Sequence, residues 1–270
     1  SKGFLGKNIK KKLKTKHKIF ELNRQNGDYT KDYSVNKFKN IDIIICAAGI
    51  VGVKESWVNP FYSLKSNYLG TLNLLEFCRK NNSKLIFISS YLYGDNNNLP
   101  TSENTKLSFT NPYDLSKKLC DDLCVSYNQL FNTNVIILRT FNIYGPKQNK
   151  KFLIPNIINQ AKKNKTIKLY NFNSKRDFLY IDDFLNAIML LVDYKKSFQI
   201  FNLGSQKSYS NYKLANIILN LMNKKKDIQE ICFNHKEVAE TLADITKISK
   251  ELKWKPKISI KEGLLKVLKA

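Results

Sequence analysis

The chain has 270 residues, 43% of them hydrophobic, which is enough for one large domain or for one domain with a smaller lobe attached. No apolar run approaches the ~20 residues of a membrane span, and the basic start lacks the apolar core of a signal peptide. The five cysteines are odd in number and show no metal-ligand spacing. The sequence therefore predicts a cytoplasmic protein with reduced cysteines, no metal and no membrane contact.

The formal net charge of +24 raises nucleic acid as a partner, because a basic surface attracts phosphates whatever their sequence. The lysines, however, are spread along the whole chain, and only residues 7–18 form a dense basic run. We interpret that run as the solvated face of a first helix. Nucleic acid is therefore not the favoured partner.

The first residues, Gly3, Phe4, Leu5 and Gly6, look like the second half of a glycine-rich phosphate loop that runs into a helix. The first glycine of such a loop and the strand that should precede it are absent from the sequence. We therefore expect that the sequence is truncated at its N terminus.

Two strands are predicted next, one near residues 18–23 and one over residues 41–49. The second is a continuous apolar run, which is typical of a fully buried strand, and it ends in small residues, Ala47, Ala48 and Gly49, that let a cofactor approach the backbone. The missing first strand should lie between these two strands.

Helices and strands alternate in the next part of the chain. Apolar residues recur with helical spacing over residues 67–81, an apolar strand follows at residues 84–88, a helix begins near Pro112, and residues 134–139 form another apolar strand. This alternation predicts an α/β fold with a parallel, doubly wound sheet and right-handed crossovers.

The alternation weakens after residue 145. The later segments are polar and rich in turns, except for a helix at residues 182–194 and a strand at residues 200–203 that return to the main sheet. The predicted division is a main domain of residues 1–145 plus 178–204 and a smaller C-terminal lobe of residues 146–177 plus 205–270.

Three residues can together perform acid–base chemistry on an alcohol. Ser89 ends an apolar strand, so its hydroxyl should emerge at the carboxyl edge of the sheet, where open α/β sheets bind ligands. Tyr113 and Lys117 are four residues apart and share a face of one helix. A tyrosine hydroxyl with its ordinary pKa near ~10 is a poor base at neutral pH, and an ammonium beside it lowers that pKa. The set indicates an active site that oxidises and reduces a carbinol with a nicotinamide cofactor.

A tyrosine and a lysine at this spacing are, taken alone, more often a solvated pair than a catalytic one. Here the pair occurs together with a serine at a strand end, with Tyr93 and Gly94 shortly after that serine, and with the glycine-rich segment at residues 3–6. This combination is much rarer by chance. We therefore favour the catalytic interpretation.

Ordered blocks along nearly the whole chain resemble the extended short-chain dehydrogenase/reductase family, the nucleotide-sugar epimerases and dehydratases. The resemblance implies a Rossmann-type sheet that binds a dinucleotide and a smaller C-terminal lobe that binds the substrate. The blocks are Gly3 to Gly6, Ala47 to Gly49, Asn67 to Thr71, Ser89 to Gly94, Pro112 to Lys117, Arg139 to Pro146, Arg176 to Asp183, Phe201 to Gly204, and Ala243 to Ile245 followed by Trp254 to Pro256.

The resemblance also implies a role for each residue of the site. Tyr113 would be the acid and base, Lys117 would hold the nicotinamide ribose and tune Tyr113, and Ser89 would hydrogen-bond the reacting oxygen. The substrate would be a nucleoside-diphosphate sugar, contacted by Ser90, Asn142 and Arg176, whose planar fork suits a diphosphate. A surface ion pair of Arg176 with Asp177 or Asp182 is the alternative.

The cofactor would be NAD or NADP. An acidic residue at the end of the second strand accepts the ribose of NAD, whereas an arginine there accommodates the NADP phosphate. This chain has Asn23 and Arg24 at that place, which makes NADP plausible, and Asp28 resembles the family's contact to the adenine end. The expected cofactor-binding residues are Gly3, Phe4, Leu5, Gly6, Asn23, Arg24, Asp28, Ala47, Ala48, Gly49, Asn67, Tyr113 and Lys117.

Departures from the family pattern narrow the reaction. The family's 4,6-dehydratases have Asp and Glu where this chain has Ser90 and Tyr91. Its fucose-synthase type has a cysteine, and its decarboxylases a glutamate, at the position of Tyr91. The reactions that remain need only the serine, the tyrosine and the lysine. They are those of a sugar 4-epimerase or, alternatively, of a 4-keto-sugar reductase.

Two further expectations concern partners. Relatives commonly dimerise through the helices at residues 67–81 and 113–131, so we expect a homodimer. A non-catalytic family member recruited to nucleic acid is the rival hypothesis from a different class. The intact set of serine, tyrosine and lysine argues against it, because a scaffold has no reason to keep them together.

Overall fold

The computed structural model describes residues 2–23, 25–96, 98–232 and 238–270. The chain divides into two compact units, which interleave along the sequence. Its elements in order are α1 (Phe4–Leu13), α2 (Asp32–Asn36), β1 (Ile43–Cys46), α3 (Val53–Val58), α4 (Pro60–Asn81), β2 (Lys84–Ser90), α5 (Pro112–Phe131), β3 (Val135–Thr140), β4 (Asn142–Tyr144), α6 (Leu153–Lys163), β5 (Thr166–Tyr170), β6 (Lys175–Tyr180), α7 (Ile181–Val192), β7 (Phe198–Leu203), β8 (Ser208–Ser210), α8 (Asn211–Leu221), β9 (Asp227–Ile231), α9 (Thr246–Leu252) and α10 (Ile260–Leu268).

The first unit comprises Ser1–Gly94, Glu103–Thr140 and Ala187–Asn202 and contains a sheet of order β1-β2-β3-β7. The β1–β2 and β2–β3 pairs are parallel. Apolar residues of α4, α5, β2 and β3 form one buried cluster, so both helices pack on the same face of the two central strands. The α/β fold with a parallel sheet is confirmed.

Two long helices of this unit are fixed at both ends by their sequence. Asn59 and Asn111 cap α4 and α5, because each side chain accepts a hydrogen bond from a backbone N–H of the first turn and is followed by a proline. Asn82 and Asn132 end the same helices in the left-handed conformation, with φ of 51° and 54°. The start of α5 sets the position of Tyr113.

The strand predicted near residues 18–23 is wrong. These residues have no strand assignment, and in the described part of the chain β1 pairs with β2 alone. One of their apolar side chains, Phe20, packs against another aromatic ring: its ring centre lies 6.0 Å from that of Phe38, and Phe20 is 48% exposed. Apolar residues form a strand only where a neighbouring backbone pairs with them. The N-terminal truncation stays a prediction.

The second unit comprises Asp95–Ser102, Phe141–Asn186 and Leu203–Ala270, with sheets of order β4-β6-β8 and β5-β9. The buried carboxylate of Asp177 ties its loops together by accepting hydrogen bonds from the backbone N–H groups of Ser205, Gln206 and Ala243. This division differs from the sequence-based one, because residues 95–102, 141–145, 178–186 and 203–204 belong to the second unit and not to the main domain. Within the described ranges, no helix is both long and apolar enough to cross a bilayer.

A buried lysine supports the first unit from within. The Lys84 ammonium donates to the carbonyls of Leu191, Val192 and Tyr194 at 2.8, 3.0 and 2.8 Å, at the end of α7. Lys84→Met should lower the free energy of unfolding by about 2 kcal/mol or more, because buried carbonyls lose a charged donor. Urea unfolding measures this. Lys80→Met, on an exposed lysine, is the control and should cost well under about 1 kcal/mol; equal losses would contradict the assignment.

Candidate active site

Ser89 lies near the carboxyl end of β2 and is 3% exposed. Its neighbour in the adjacent strand is Arg139, and its carbonyl accepts a hydrogen bond from the Thr140 hydroxyl at 3.0 Å. Its own hydroxyl makes no hydrogen bond of normal geometry with the described residues. A buried hydroxyl left in this condition is available to a ligand.

Tyr113 and Lys117 lie one turn apart near the start of α5. The backbone N–H of Tyr113 donates to the buried Ser56 hydroxyl at 3.1 Å, which fixes the helix start against α3. The Lys117 ammonium donates to the carbonyl of Ile88 at 2.8 Å and lies 4.8 Å from the centre of the Phe87 ring. Lys117 therefore contacts the residue directly before Ser89.

The charge of Lys117 is maintained by its surroundings. Burial acts to lower the pKa of this ammonium, whereas Tyr113, Cys120, Cys46 and Asp121 act to raise it, and the net direction is upward. Burial and the neighbouring groups act in opposite directions, because burial disfavours any charge, whereas negative charge nearby favours the ammonium. Lys117 is thus a fixed positive charge beside Tyr113.

The loop after β1 is held next to Lys117. Asn67 accepts a hydrogen bond from the Ile50 N–H at 2.8 Å and donates to the Ser116 hydroxyl at 2.8 Å, so it joins this loop to α5. Gly49 has φ of +148°, and a Cβ there would lie 3.1 Å from Asn67 Oδ1 and 4.0 Å from Lys117 Nζ. Gly49 therefore exposes bare backbone beside the ammonium. The other two predicted cofactor residues of this loop, Ala47 and Ala48, come directly before it.

The other predicted cofactor residues lie at the beginning of the chain. Gly3 caps α1, and Phe4, Leu5 and Gly6 form its first turn. Asn23 accepts from the Gln25 N–H at 3.0 Å, and Asp28 accepts from the N–H and hydroxyl of Thr30 at 3.0 and 2.8 Å. Both side chains thus stabilise local turns. Arg24 lies outside the described residues.

The predicted substrate residues are divided between the units. Ser90 is the half-buried last residue of β2 in the first unit. Asn142 and Arg176 belong to the second unit, on β4 and β6. The Asn142 amide donates to the Asp177 carbonyl at 3.4 Å, and Arg176 Nη1 donates to the Val238 carbonyl at 2.7 Å.

Some residues around the site were missed by sequence reasoning. These are the Ser56 hydroxyl, the bridging role of Asn67, and an ion pair between Asp121 and Arg139. Asp121 follows Lys117 by one helical turn, so its buried position was a detectable signal. The contacts of Ser56 and Asn67 join segments far apart in sequence, so no sequence signal indicated them. In the described ranges, no cluster of three metal-ligating side chains occurs.

The stability of the protein should depend on pH through Asp114, the residue directly after Tyr113. Burial raises its pKa to about 6, against hydrogen bonds from Thr110 and Asn111 that lower it. The unfolded carboxyl titrates near ~4, so the folded state binds more protons between the two values and this group makes stability fall as pH rises from ~4 to ~6. Asp114→Asn should therefore gain stability relative to the wild type over that window, by on the order of 2 kcal/mol.

Urea unfolding at several pH values measures the difference between the two proteins. Asp122→Asn, on the exposed side of the same helix, is the matched control and should show no such change. Parallel pH profiles for Asp114→Asn and the wild type would show that the buried carboxyl does not titrate in this way.

A parallel sheet with a serine at a strand end, beside a helix carrying tyrosine and lysine, defines the extended short-chain dehydrogenase/reductase class. The family model described as the NAD dependent epimerase/dehydratase family matches residues 1–204. The chain belongs to this family.

Named relatives agree with the family. A Methanocaldococcus jannaschii protein with a provisional name as a UDP-glucose 4-epimerase is 33% identical over 254 residues, covering 92% of this chain and 82% of that protein. The UDP-glucuronate 4-epimerase of Thermodesulfobacterium geofontis is 32% identical, covering 83% and 71%. The structure of RMD from Pseudomonas aeruginosa complexed with NADPH superimposes with a TM-score of 0.89 at 25% identity, covering 99% and 95%.

Proposed function

We propose that this chain is an NAD(P)-dependent nucleoside-diphosphate-sugar 4-epimerase. The observation that carries the proposal is that the Lys117 ammonium bonds the carbonyl of Ile88, the residue before Ser89, while Lys117 itself lies one helical turn after Tyr113. Two relatives that carry 4-epimerase names support it. The dehydratase and decarboxylase alternatives lack their acidic residues at positions 90 and 91.

The residues around Lys117 fit a dinucleotide. The bare backbone at Gly49 admits a ligand where a Cβ would crowd Asn67, and the start of α1 offers free N–H groups suited to phosphates. We assign Lys117 to the ribose next to the nicotinamide, and Asn23 and Asp28 to the adenosine end. When bound, NAD or NADP supplies the hydride acceptor and donor.

The three proposed catalytic residues divide the remaining chemistry. The Tyr113 oxygen takes the proton of the sugar 4-hydroxyl while that carbon is oxidised. Ser89 hydrogen-bonds the same oxygen and holds it in place. Inversion requires the 4-keto sugar to present its opposite face before Tyr113 returns the proton. Ser90, Asn142 and Arg176 are proposed to bind the sugar and the diphosphate.

A 4-keto-sugar reductase is the second candidate. Arg24 suits the extra phosphate of NADP, and the similar RMD structure contains NADPH. The two reactions differ in stoichiometry: an epimerase turns over with no net change in the cofactor, whereas a reductase consumes one reduced cofactor per sugar.

Mass spectrometry and chromatography of a nucleotide-sugar panel test the proposal. The chain is incubated with UDP-, GDP- and dTDP-sugars and 4-keto sugars, with and without NADPH. Catalytic formation of a 4-epimer without NADPH is expected. Reduction that consumes NADPH would favour the second candidate, and salt-dependent retention on RNA or DNA without any sugar binding would favour a nucleic-acid protein instead.

We further propose a homodimer formed through α4 and α5. Both helices carry large exposed apolar side chains, including Phe61 at 71% and Leu130 at 72% exposure. Such residues are expected at an interface between copies. Sedimentation equilibrium should give the mass of two chains, and Leu130→Lys should shift it toward one; a monomeric wild type at micromolar concentration would contradict the proposal.

A further inference from the structure

A buried ion pair lies beside the strand end that carries Ser89. Arg139 Nε donates to Asp121 Oδ2 at 2.9 Å, and the side chains are 6% and 1% exposed. Arg139 is aligned with Ser89 across the β2–β3 pair, so both side chains leave the sheet on the same face. Asp121 reaches this face from α5, one turn after Lys117.

The ion pair is anchored on its far side. Arg139 Nη1 donates to the Tyr93 hydroxyl and to the Glu103 carbonyl, each at 3.1 Å, and the Tyr93 hydroxyl donates to Asn202 at 2.5 Å. Because Arg139 is itself buried, its guanidinium needs the ionised carboxylate of Asp121 as a counter-charge. The carboxylate is therefore fixed in position before any ligand binds.

Two complementary atoms remain at this place. Among the described residues, Asp121 Oδ1 and Ser89 Oγ are buried and make no hydrogen bond of normal geometry. A carboxylate oxygen only accepts, and a serine hydroxyl can donate. The two groups are near each other: burial raises the pKa of Asp121, and the Ser89 hydroxyl, like Arg139 and Lys117, acts to lower it.

We propose that Asp121 is a positioning residue for Ser89: before the sugar binds, Asp121 Oδ1 accepts the Ser89 hydroxyl proton and so holds the Ser89 oxygen in place at the end of β2. This inference rests on the proposed function. Asp121 itself touches no substrate and exchanges no proton. When the sugar binds, the Ser89 hydroxyl proton rotates to donate to the sugar 4-oxygen, whose own proton goes to Tyr113, while the Ser89 oxygen keeps the place in which Asp121 held it.

Asp121→Asn tests this with almost no change of shape. The amide oxygen must face Arg139 Nε, which leaves the amide nitrogen, a donor, facing Ser89. The Ser89 hydroxyl then loses its acceptor. We expect kcat for the nucleotide sugar to fall by between about 10-fold and about 100-fold, with KM changed by less than about 3-fold, as for a misplaced group that acts in the reaction rather than in binding.

A double-mutant cycle separates positioning from support of the fold. In a Ser89→Ala background, Asp121→Asn should cause no further loss of kcat, because the group through which it acts is gone. An equal loss in both backgrounds would overturn the proposal. Asp122→Asn, the exposed neighbour, is the matched control. If the Asn variant does not fold, Asp121→Glu retains the charge opposite Arg139 and enters the same cycle, with the same two outcomes.

A carbon-13 NMR titration of the aspartate carboxyls needs no turnover. Ser89→Ala should raise the pKa of Asp121, because a donor to the charged form is lost, while Ser90→Ala should leave it unchanged. The other facing groups stay constant: Arg139 and Lys117 remain charged, and burial raises the pKa of the Cys120 and Cys124 thiols.

An unchanged pKa of Asp121 in Ser89→Ala would overturn the inference even in an active enzyme. If no nucleotide sugar is converted by the wild type, the proposed function fails, and this titration alone decides whether Asp121 holds the Ser89 hydroxyl.

Discussion

Tyr113→Phe should lower the rate of the chemical step by about 100-fold or more while the protein remains folded. The substitution removes one oxygen atom and leaves the ring, and the fixed start of α5 depends on the Tyr113 backbone N–H rather than on its side chain. The variant loses only the group that takes and returns the sugar proton. Nucleotide-sugar affinity should therefore change little, which equilibrium binding and single-turnover rates together measure.

Tyr127→Phe is the matched control for this experiment. Tyr127 lies on the same helix, and its hydroxyl donates to Glu76 at 2.9 Å, away from Ser89 and Lys117. Its loss should leave the single-turnover rate within about 3-fold of the wild type, as for a surface change. Unchanged turnover in Tyr113→Phe would reject the role assigned to Tyr113.

Lys117→Met should reduce both the rate and the affinity for the dinucleotide. Methionine keeps an unbranched apolar side chain at this position, but it removes the ammonium that lies over the Phe87 ring and bonds the Ile88 carbonyl. The loss of rate should again be about 100-fold or more, since the base loses its neighbouring charge. The Kd for NAD(P) should rise by about 10-fold, as expected for a lost hydrogen bond from a charged donor.

The pattern across two variants distinguishes the roles. Tyr113→Phe should affect the rate alone, whereas Lys117→Met should affect both quantities. Lys118→Met is the control, because Lys118 is the next residue and pairs with Asp122 on the helix surface. Calorimetry of cofactor binding and single-turnover kinetics give the two numbers. If Lys117→Met binds NAD(P) like the wild type, Lys117 does not hold the cofactor.

Local sequence signals were sufficient to predict many of the helices and strands of the first unit. The strand that ends near Ser89 and the helix that begins at Pro112 follow from a buried apolar run and from an asparagine cap followed by proline. Such signals depend on neighbours a few residues away. They therefore located Ser89, Tyr113 and Lys117 on their elements without any knowledge of the tertiary structure.

Features that depend on distant partners were not predictable. Residues 18–23 were expected to form a strand and do not, because a strand depends on pairing with a second backbone. Asn67 was expected to bind cofactor, yet its amide joins Ile50 to Ser116, residues far apart in sequence. The buried position of Asp121 could be inferred from its spacing to Lys117, but its partner Arg139 could not, because the pair forms only when α5 packs on the sheet.

Ser89, Tyr113 and Lys117 are proposed to act on the sugar's 4-position while that carbon is oxidised and then reduced, a reaction for which NAD(P) would supply the hydride acceptor and donor. The most direct measurement uses the converted nucleotide sugar carrying deuterium at its 4-position, in ordinary water. The 4-epimer should keep this deuterium, because the hydride leaves and returns without exchange with solvent, and its formation should be slowed by the isotope. Loss of the deuterium to water would contradict hydride transfer at the 4-position, since the inversion would then proceed by proton exchange.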